Sequence, residues 1–264
     1  MATVDSYRVT AKYYDGAYAA KPDLVDLPFY LELAERSRGP VLEIACGTGR
    51  LLFPIARKGI EIHGVDNSLP MLRILQGHLA EEPDDVRRKV TVHEGDMRDF
   101  RLGAKFPLVI IPFRPMQHMH TVQDQASALA TAAFHLSEGG ILGFDVFYPK
   151  FEMINTRMGE EVAEMEWSSV SDPATTVRRY FRKDSVDKIA QVFSFTFIYR
   201  TFRAGKLILE ETEALKLSYF TYPHLRALFL LAGLELVAEY GSFKKAPLDN
   251  SSEQMIFLLR KVAQ

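Results

Sequence analysis

The sequence predicts an α/β fold built on a mostly parallel, doubly wound sheet, and three observations carry that prediction. From residue 40 short β-branched runs alternate with helical stretches, the pattern of a parallel sheet covered by helices on both faces. A bend of small residues, Ala45-Cys46-Gly47-Thr48-Gly49, joins the first apolar run to the first helical one. After Tyr148 the texture changes to alternating apolar and polar residues, which read as antiparallel hairpins.

Taken in order, Val41 to Ala45 is the first strand, and Arg50 to Lys58 is a helix with Leu51, Leu52 and Ile55 at helical spacing and Pro54 near its first turn. Ile60 to Val65 is the second strand. Ser68 caps a helix toward Ala80 whose Pro70 sits where its missing N–H is harmless. Val90 to His93, Pro107 to Phe113 and Ile141 to Phe147 are the next three strands, the last preceded by a helix that stops at Gly139-Gly140. Val177 to Arg182, Ile189 to Phe202 and Lys206 to Tyr219 form the hairpins, with turns near Lys183-Asp184 and Ala204-Gly205. A helix over Pro223 to Ala232 and strands over Leu234 to Tyr240 and Gln254 to Leu259 resume the α/β pattern, the last strand antiparallel to the rest. The hairpins, residues 160–219, therefore read as an insertion within one domain spanning 1–264, acting as a lid or a homodimer contact. Alternating aromatics there, Trp167, Tyr180, Phe195 and Tyr199, fit sheet packing equally well.

Composition narrows the function classes. Of 264 residues 47% are hydrophobic, enough for a substantial core, and the only cysteine, Cys46, has no internal disulfide partner. That points to a reducing, cytoplasmic setting, as does an N-terminus without the apolar core of a signal peptide. The most apolar stretches, Pro107 to Phe113 and Leu225 to Val237, are far short of the ~20 residues a membrane-spanning helix needs. Thirty-two Lys and Arg against 34 Asp and Glu give a formal charge of −2, without the positive field of a nucleic-acid binder. No Cys/His or Asp cluster has metal-site spacing, and no metal is expected.

The bend after the first strand is the most informative segment, because small residues let a ligand approach the backbone closely. Leu52 occupies the position where the dinucleotide fingerprint needs its third glycine, and Arg50-Leu51 follow Gly49 where a phosphate loop has Lys and Ser or Thr, so neither nicotinamide nor triphosphate binding is indicated. Asp66 closes the second strand where a carboxylate accepts both hydroxyls of a ribose. Asp96 follows the third strand, where it faces an exocyclic amine. Either carboxylate alone also serves as a helix cap or turn former. Their recurrence at successive strand ends, above one bend, favours a ligand.

On these residues the chain resembles the class I S-adenosylmethionine-dependent methyltransferases: Glu43 to Gly49 is similar to their first motif, Gly64-Val65-Asp66-Asn67-Ser68 to the ribose motif and Gly95-Asp96-Met97-Arg98 to the adenine motif. The likeness runs over residues 10 to 147 and more loosely over the last 45. Tyr14-Asp15, the stretch Glu94 to Phe100 and the hairpins are most similar to small-molecule N-methyltransferases acting on amino sugars or glycine. Ala45 departs from the pattern, since many members carry glycine there. The resemblance implies a Rossmann-like fold that binds S-adenosylmethionine. In it Glu43 orients the methionine ammonium through water, the backbone at Ala45, Cys46, Gly47 and Gly49 contacts the methionine, and Tyr14 covers that end. Asp66 holds the ribose, Asn67 and Met71 flank the adenine, Asp96 accepts from its amine, Met97 stacks beneath it, and Pro112 and Phe113 line the remaining edge.

Methyl transfer from a sulfonium is an in-line displacement with a neutral leaving group, so positioning and water exclusion matter more than a strong base. The segment Arg114 to His120 falls beyond the carboxyl ends of the strands, where parallel sheets place ligands. His118 is the candidate base or substrate hydrogen-bond partner, against a purely structural histidine. Arg114 suits a substrate carboxylate or phosphate, and Gln117, Phe147, Tyr148 and Tyr222 complete the expected acceptor side. Ile111-Pro112-Phe113-Arg114 lacks the Asn/Asp-Pro-Pro-Tyr of enzymes that methylate planar amides. The expected activity is methylation of a small molecule at nitrogen rather than oxygen. The competing reading is a regulatory protein that binds the cofactor without transferring methyl.

Overall fold

The computed structural model describes residues 7–21, 25–150, 154, 157–169 and 172–262. The chain divides into two compact units, one of residues 25–150 and 218–264, the other of residues 1–24 and 151–217.

The first unit is built on a seven-stranded sheet: β1 (Val41–Ile44), β2 (Ile62–Asp66), β3 (Val90–Glu94), β4 (Phe106–Ile111), β5 (Leu136–Phe147), β10 (Leu234–Tyr240) and β11 (Gln254–Lys261). Its order is β10-β11-β5-β4-β1-β2-β3; β11 runs antiparallel to β5 and to β10, and the pairs among β1 to β5 are parallel. β1 is buried at all four positions, as expected of a central strand covered on both faces. Leu42, Ile44, Val109, Ile111 and Phe144 feed a core on one side, and Val41, Leu108 and Ile110 feed another on the opposite side. The chain winds from β1 through β2 to β3 and then returns to the other side of β1 as β4. The junction of β1 and β4 is therefore the topological switch point of the sheet, and the crevice outside their carboxyl ends is the ligand position of such folds.

The second unit holds the sheet β6-β7-β8-β9, formed by β6 (Glu161–Ser168), β7 (Thr175–Asp187), β8 (Val192–Arg203) and β9 (Lys206–Ser218). α1 (Thr10–Ala19) packs with it. Glu213 accepts the N–H groups of Val9 and Thr10 at 3.3 and 2.7 Å, and the Tyr13 ring stacks on Tyr199 at 4.3 Å. Trp167, Phe195 and Tyr199 are packing residues of this unit.

Several boundaries differ from the sequence reading, which assigned nothing before residue 40 and missed α1 and α2 (Leu27–Ser37), nor did it foresee β6. The turn expected at Lys183-Asp184 is an irregularity inside β7. The chain reverses instead after Asp187, whose carboxylate accepts the N–H groups of Ile189 and Ala190 at 3.0 and 2.9 Å. The helix expected to stop at Gly139-Gly140 is α6 (Val122–His135), which ends four residues sooner, and Gly139 supplies its positive φ within β5 instead. Ser68 stands at the N-cap of α4 (Leu69–Glu81), but its side chain makes no capping hydrogen bond there. Residues 170 and 171 of the expected insertion lie outside the described residues.

Candidate active site

The bend after β1 is a run of left-handed residues: Ala45, Gly47 and Gly49 have φ of +59°, +55° and +90°. Gly49 is required doubly, because an added Cβ there would run into the Phe53 ring. At Gly47 an added Cβ would meet nothing within 4 Å, so the backbone borders open space on that side. Ala45 lacks the freedom of glycine and holds its left-handed conformation at a cost of about 1 kcal/mol.

Asp66 braces this bend from the end of β2. One carboxylate oxygen accepts the Gly47 N–H at 2.8 Å and the other the Ser68 N–H at 2.8 Å. Burial raises its pKa, while the N–H donors of Ser68, Gly47 and Asn67 hold the rise back. Behind the bend, Glu43 is 3% exposed, and its Oε2 has no hydrogen-bond partner. Burial pushes the Glu43 carboxyl up to about 8, with Arg50 opposing the rise and Asp66 and Asp26 adding to it. An orphaned buried carboxyl oxygen among other acids is a demand for a cation or a donor.

Asp96 is held more firmly than its sequence role requires. Arg98 donates to Oδ1 from its backbone N–H and from Nε, both at 2.9 Å, and to Oδ2 from Nη2 at 2.6 Å. Arg98 in turn reaches Asp124 at 3.1 Å. The Arg98 bonds, with an added bond from Asn67, keep the Asp96 carboxyl below its ordinary range despite partial burial. Met71 and Met97 are buried, Met97 within the core beside Val65 and Phe100.

Beyond β4 the backbone turns sharply. Phe113 and Arg114, neither of them glycine, take φ of +67° and +73°, an arrangement costing roughly 1–3 kcal/mol per residue that surrounding contacts must hold in place. Those contacts were invisible in the sequence. Asp145, on β5 and 1% exposed, accepts the Phe113 N–H at 2.8 Å and the Tyr30 hydroxyl at 2.7 Å on the same oxygen. Arg50, just past the glycine bend, lies over the Phe113 ring at 4.8 Å while gripping Asp26 with two bonds of 3.0 and 2.5 Å. The bends after β1 and β4 are thus joined across the switch point.

The residues expected on the acceptor side divide. Arg114 is half-buried, 6.0 Å from the Phe113 and Phe147 rings, and Phe147, Tyr148 and Tyr222 are also half-buried. Gln117 is fully buried, its Nε2 donates to the Ser218 carbonyl at 2.8 Å and its Oε1 accepts the Phe147 N–H at 3.1 Å, so both ends serve as a brace. His118 lies in the 3-10 turn Pro115–His118, and burial together with His120 lowers its pKa to about 4. A group that weak is not a proton store: taking a proton from an α-amino group near 8 would be uphill by about 5 kcal/mol. Tyr14 belongs to α1, where its ring lies 4.4 Å from that of Tyr18.

The family model described as a methyltransferase domain matches residues 41–140, which contain the bend, Asp66, Asp96 and the strained turn. The dTDP-3-amino-3,4,6-trideoxy-alpha-D-glucopyranose N,N-dimethyltransferase of Streptomyces venezuelae is 35% identical over 150 residues, 54% of this chain and 57% of that enzyme. The chain thus spans little more than half of that relative. The cypemycin N-terminal methyltransferase of a Streptomyces species is 26% identical over 222 residues, 84% of this chain and 82% of that one. Among solved structures, the CcbJ methyltransferase of Streptomyces caelestis superposes with a TM-score of 0.78 at 25% identity, covering 98% of this chain and 97% of that one. The chain accordingly has the Rossmann-like fold expected of it, with an antiparallel four-stranded sheet beside the mostly parallel one in sequence. No helix among the described residues is long and apolar enough to cross a membrane.

Proposed function

We propose that the protein transfers the methyl group of S-adenosylmethionine to an amine of a small-molecule acceptor. The observation that carries the proposal is the orphaned, buried Glu43 oxygen behind the glycine bend, which suits the ammonium of the methionine portion. When bound, the cofactor supplies an electrophilic methyl on a sulfonium. Asp66 has lone pairs left for a ribose diol, Asn67, Met71, Asp96 and Met97 stand on the adenine side, and the backbone of Ala45, Cys46, Gly47 and Gly49 borders the methionine side, with Pro112 and Phe113 beside it. The chain's own task is to hold a neutral amine in line and keep water out. His118 performs it as an uncharged hydrogen-bond acceptor, consistent with its depressed pKa. Arg114, flanked by Phe113 and Phe147, provides a cation for an acidic group on the acceptor. Relatives acting on an amino sugar and on a peptide N-terminus support an amine acceptor.

The proposal is tested by release of S-adenosylhomocysteine with a panel of amino sugars, peptide N-termini, simple amines and phenols. Release confined to amine-bearing compounds is expected. Release with none, from a protein that binds the cofactor, would make it a binding protein instead.

We also propose that it acts as a cytoplasmic homodimer on neither nucleic acid nor membranes, with β9 as the contact. β9 is an edge strand carrying exposed Leu207, Ile208 and Leu209 between Lys206 and Glu210. Two copies paired antiparallel about Ile208 set Leu207 opposite the partner's Leu209 and Lys206 opposite the partner's Glu210, a self-complementary register.

A further inference from the structure

We infer that Asp145, Tyr30 and the Arg50–Asp26 pair are positioning residues that hold the strained Phe113–Arg114 bend against the cofactor crevice, and that the charge on Asp145 sets how tightly the cofactor is held. The inference rests on the functional reading above, since it requires the crevice between β1 and β4 to be the cofactor site.

The geometry is specific. Phe113 is held at two points: its backbone N–H by the Asp145 carboxylate at 2.8 Å, and its ring by the Arg50 guanidinium at 4.8 Å. Each holder is itself fixed, Asp145 by the Tyr30 hydroxyl at 2.7 Å and Arg50 by its two-pronged bond to Asp26. A left-handed phenylalanine followed by a left-handed arginine persists only under such restraint. A charged acceptor binds an N–H more strongly than a neutral one does, so removing the Asp145 charge slackens the bend at the point where it faces the crevice.

That charge is within reach of ordinary pH. Burial raises the Asp145 carboxyl to about 6, while Tyr30, the Phe113 N–H and Arg114 oppose the rise and Asp26 adds to it. From β11 the residue opposite is Ile256, which is apolar and fully buried, so no further charge faces it from that side. Asp145 is therefore ionised at pH 8 and mostly protonated at pH 5.

The test measures the affinity of the full-length protein for S-adenosylhomocysteine by calorimetry between pH 5 and pH 8.5, comparing wild type with Asp145→Asn and Tyr30→Phe. Because Glu43 titrates in all three proteins, the readout is the ratio of each variant to wild type at each pH. At pH 8 Asp145→Asn is expected to bind about tenfold more weakly than wild type, and the two are expected to converge toward pH 5, where wild type has lost the charge as well. A loss of packing alone would weaken binding equally at every pH. Tyr30→Phe removes a bond that favours the ionised form, so the affinity profile should keep its shape and move to higher pH; this arm decides the matter if Asp145→Asn does not fold. Variant-to-wild-type ratios that stay flat with pH for both overturn the inference while leaving the functional reading in place. Failure of wild type to bind at pH 8 overturns the functional reading itself.

Discussion

Glu43 is where stability and function oppose each other at the scale of a single residue. Its carboxyl titrates at about 8 in the folded protein and near 4.5 when unfolded, so the folded state holds that proton more tightly. The stability it contributes is complete below about 4.5 and is lost as pH rises through about 8. Glu43→Gln should therefore leave the ligand-free protein unchanged at pH 5 and stabilise it at pH 9 by roughly 2 kcal/mol, read from denaturant midpoints, while weakening cofactor binding about tenfold. A variant less stable than wild type at pH 9 would contradict this. Ala45 gives the complementary case: glycine at φ +59° removes a steric penalty, and Ala45→Gly should gain about 0.5–1 kcal/mol in urea unfolding. A loss would mean that the alanine methyl packs usefully. Ala45, Gly47, Gly49, Asp66 and Asp96 could be singled out in the sequence because bend and carboxylates lie within a few residues of their own strand ends. Asp145 and Arg50 could not. Their partners lie 115 and 24 residues away, and only the folded sheet brings them together.

At the scale of elements, the parallel strands were readable because each carries a short run rich in apolar residues between turn signals, and β10 matched its expected bounds from Leu234 to Tyr240. What failed were elements whose pattern is diluted. α2 mixes Glu32, Glu35 and Arg36 with its buried Phe29, Tyr30 and Ala34, and β6 alternates half-buried with exposed positions and offers no apolar run. The charged run Arg182-Lys183-Asp184 imitates a turn, yet β7 continues through it because pairing with β8 outweighs local composition. Gln117 illustrates the same limit: a polar side chain in the loop after β4 reads as a ligand contact, and its bonds to the Ser218 carbonyl and the Phe147 N–H emerge only in the folded structure. Gln117→Ala should cost about 2–3 kcal/mol of stability in thermal or denaturant unfolding by orphaning the N–H and the carbonyl it serves. Cofactor affinity should hold, and a selective loss of it would place Gln117 in the site.

For the whole molecule, the balanced surface charge leaves association to local patches, and β9 offers one. Sedimentation should find a dimer that Lys206→Glu and Glu210→Lys each weaken and the double exchange restores in part, because the double variant re-forms the opposite-charge pairs of the antiparallel register but not the Arg200 pair of Glu210. Glu210 also pairs with Arg200 at 2.6 Å, so its single variant should be the more damaging of the two. Monomers throughout would remove the contact. The central claim concerns the crevice where the sheet reverses its winding. A crystal structure with S-adenosylhomocysteine tests it most directly: the ribose diol should lie on Asp66, the amino group should satisfy Glu43 Oε2 directly or through one water, and the adenine should sit beside Asp96. Ligand bound elsewhere, or a Glu43 carboxyl still without a partner once it is bound, would contradict the account.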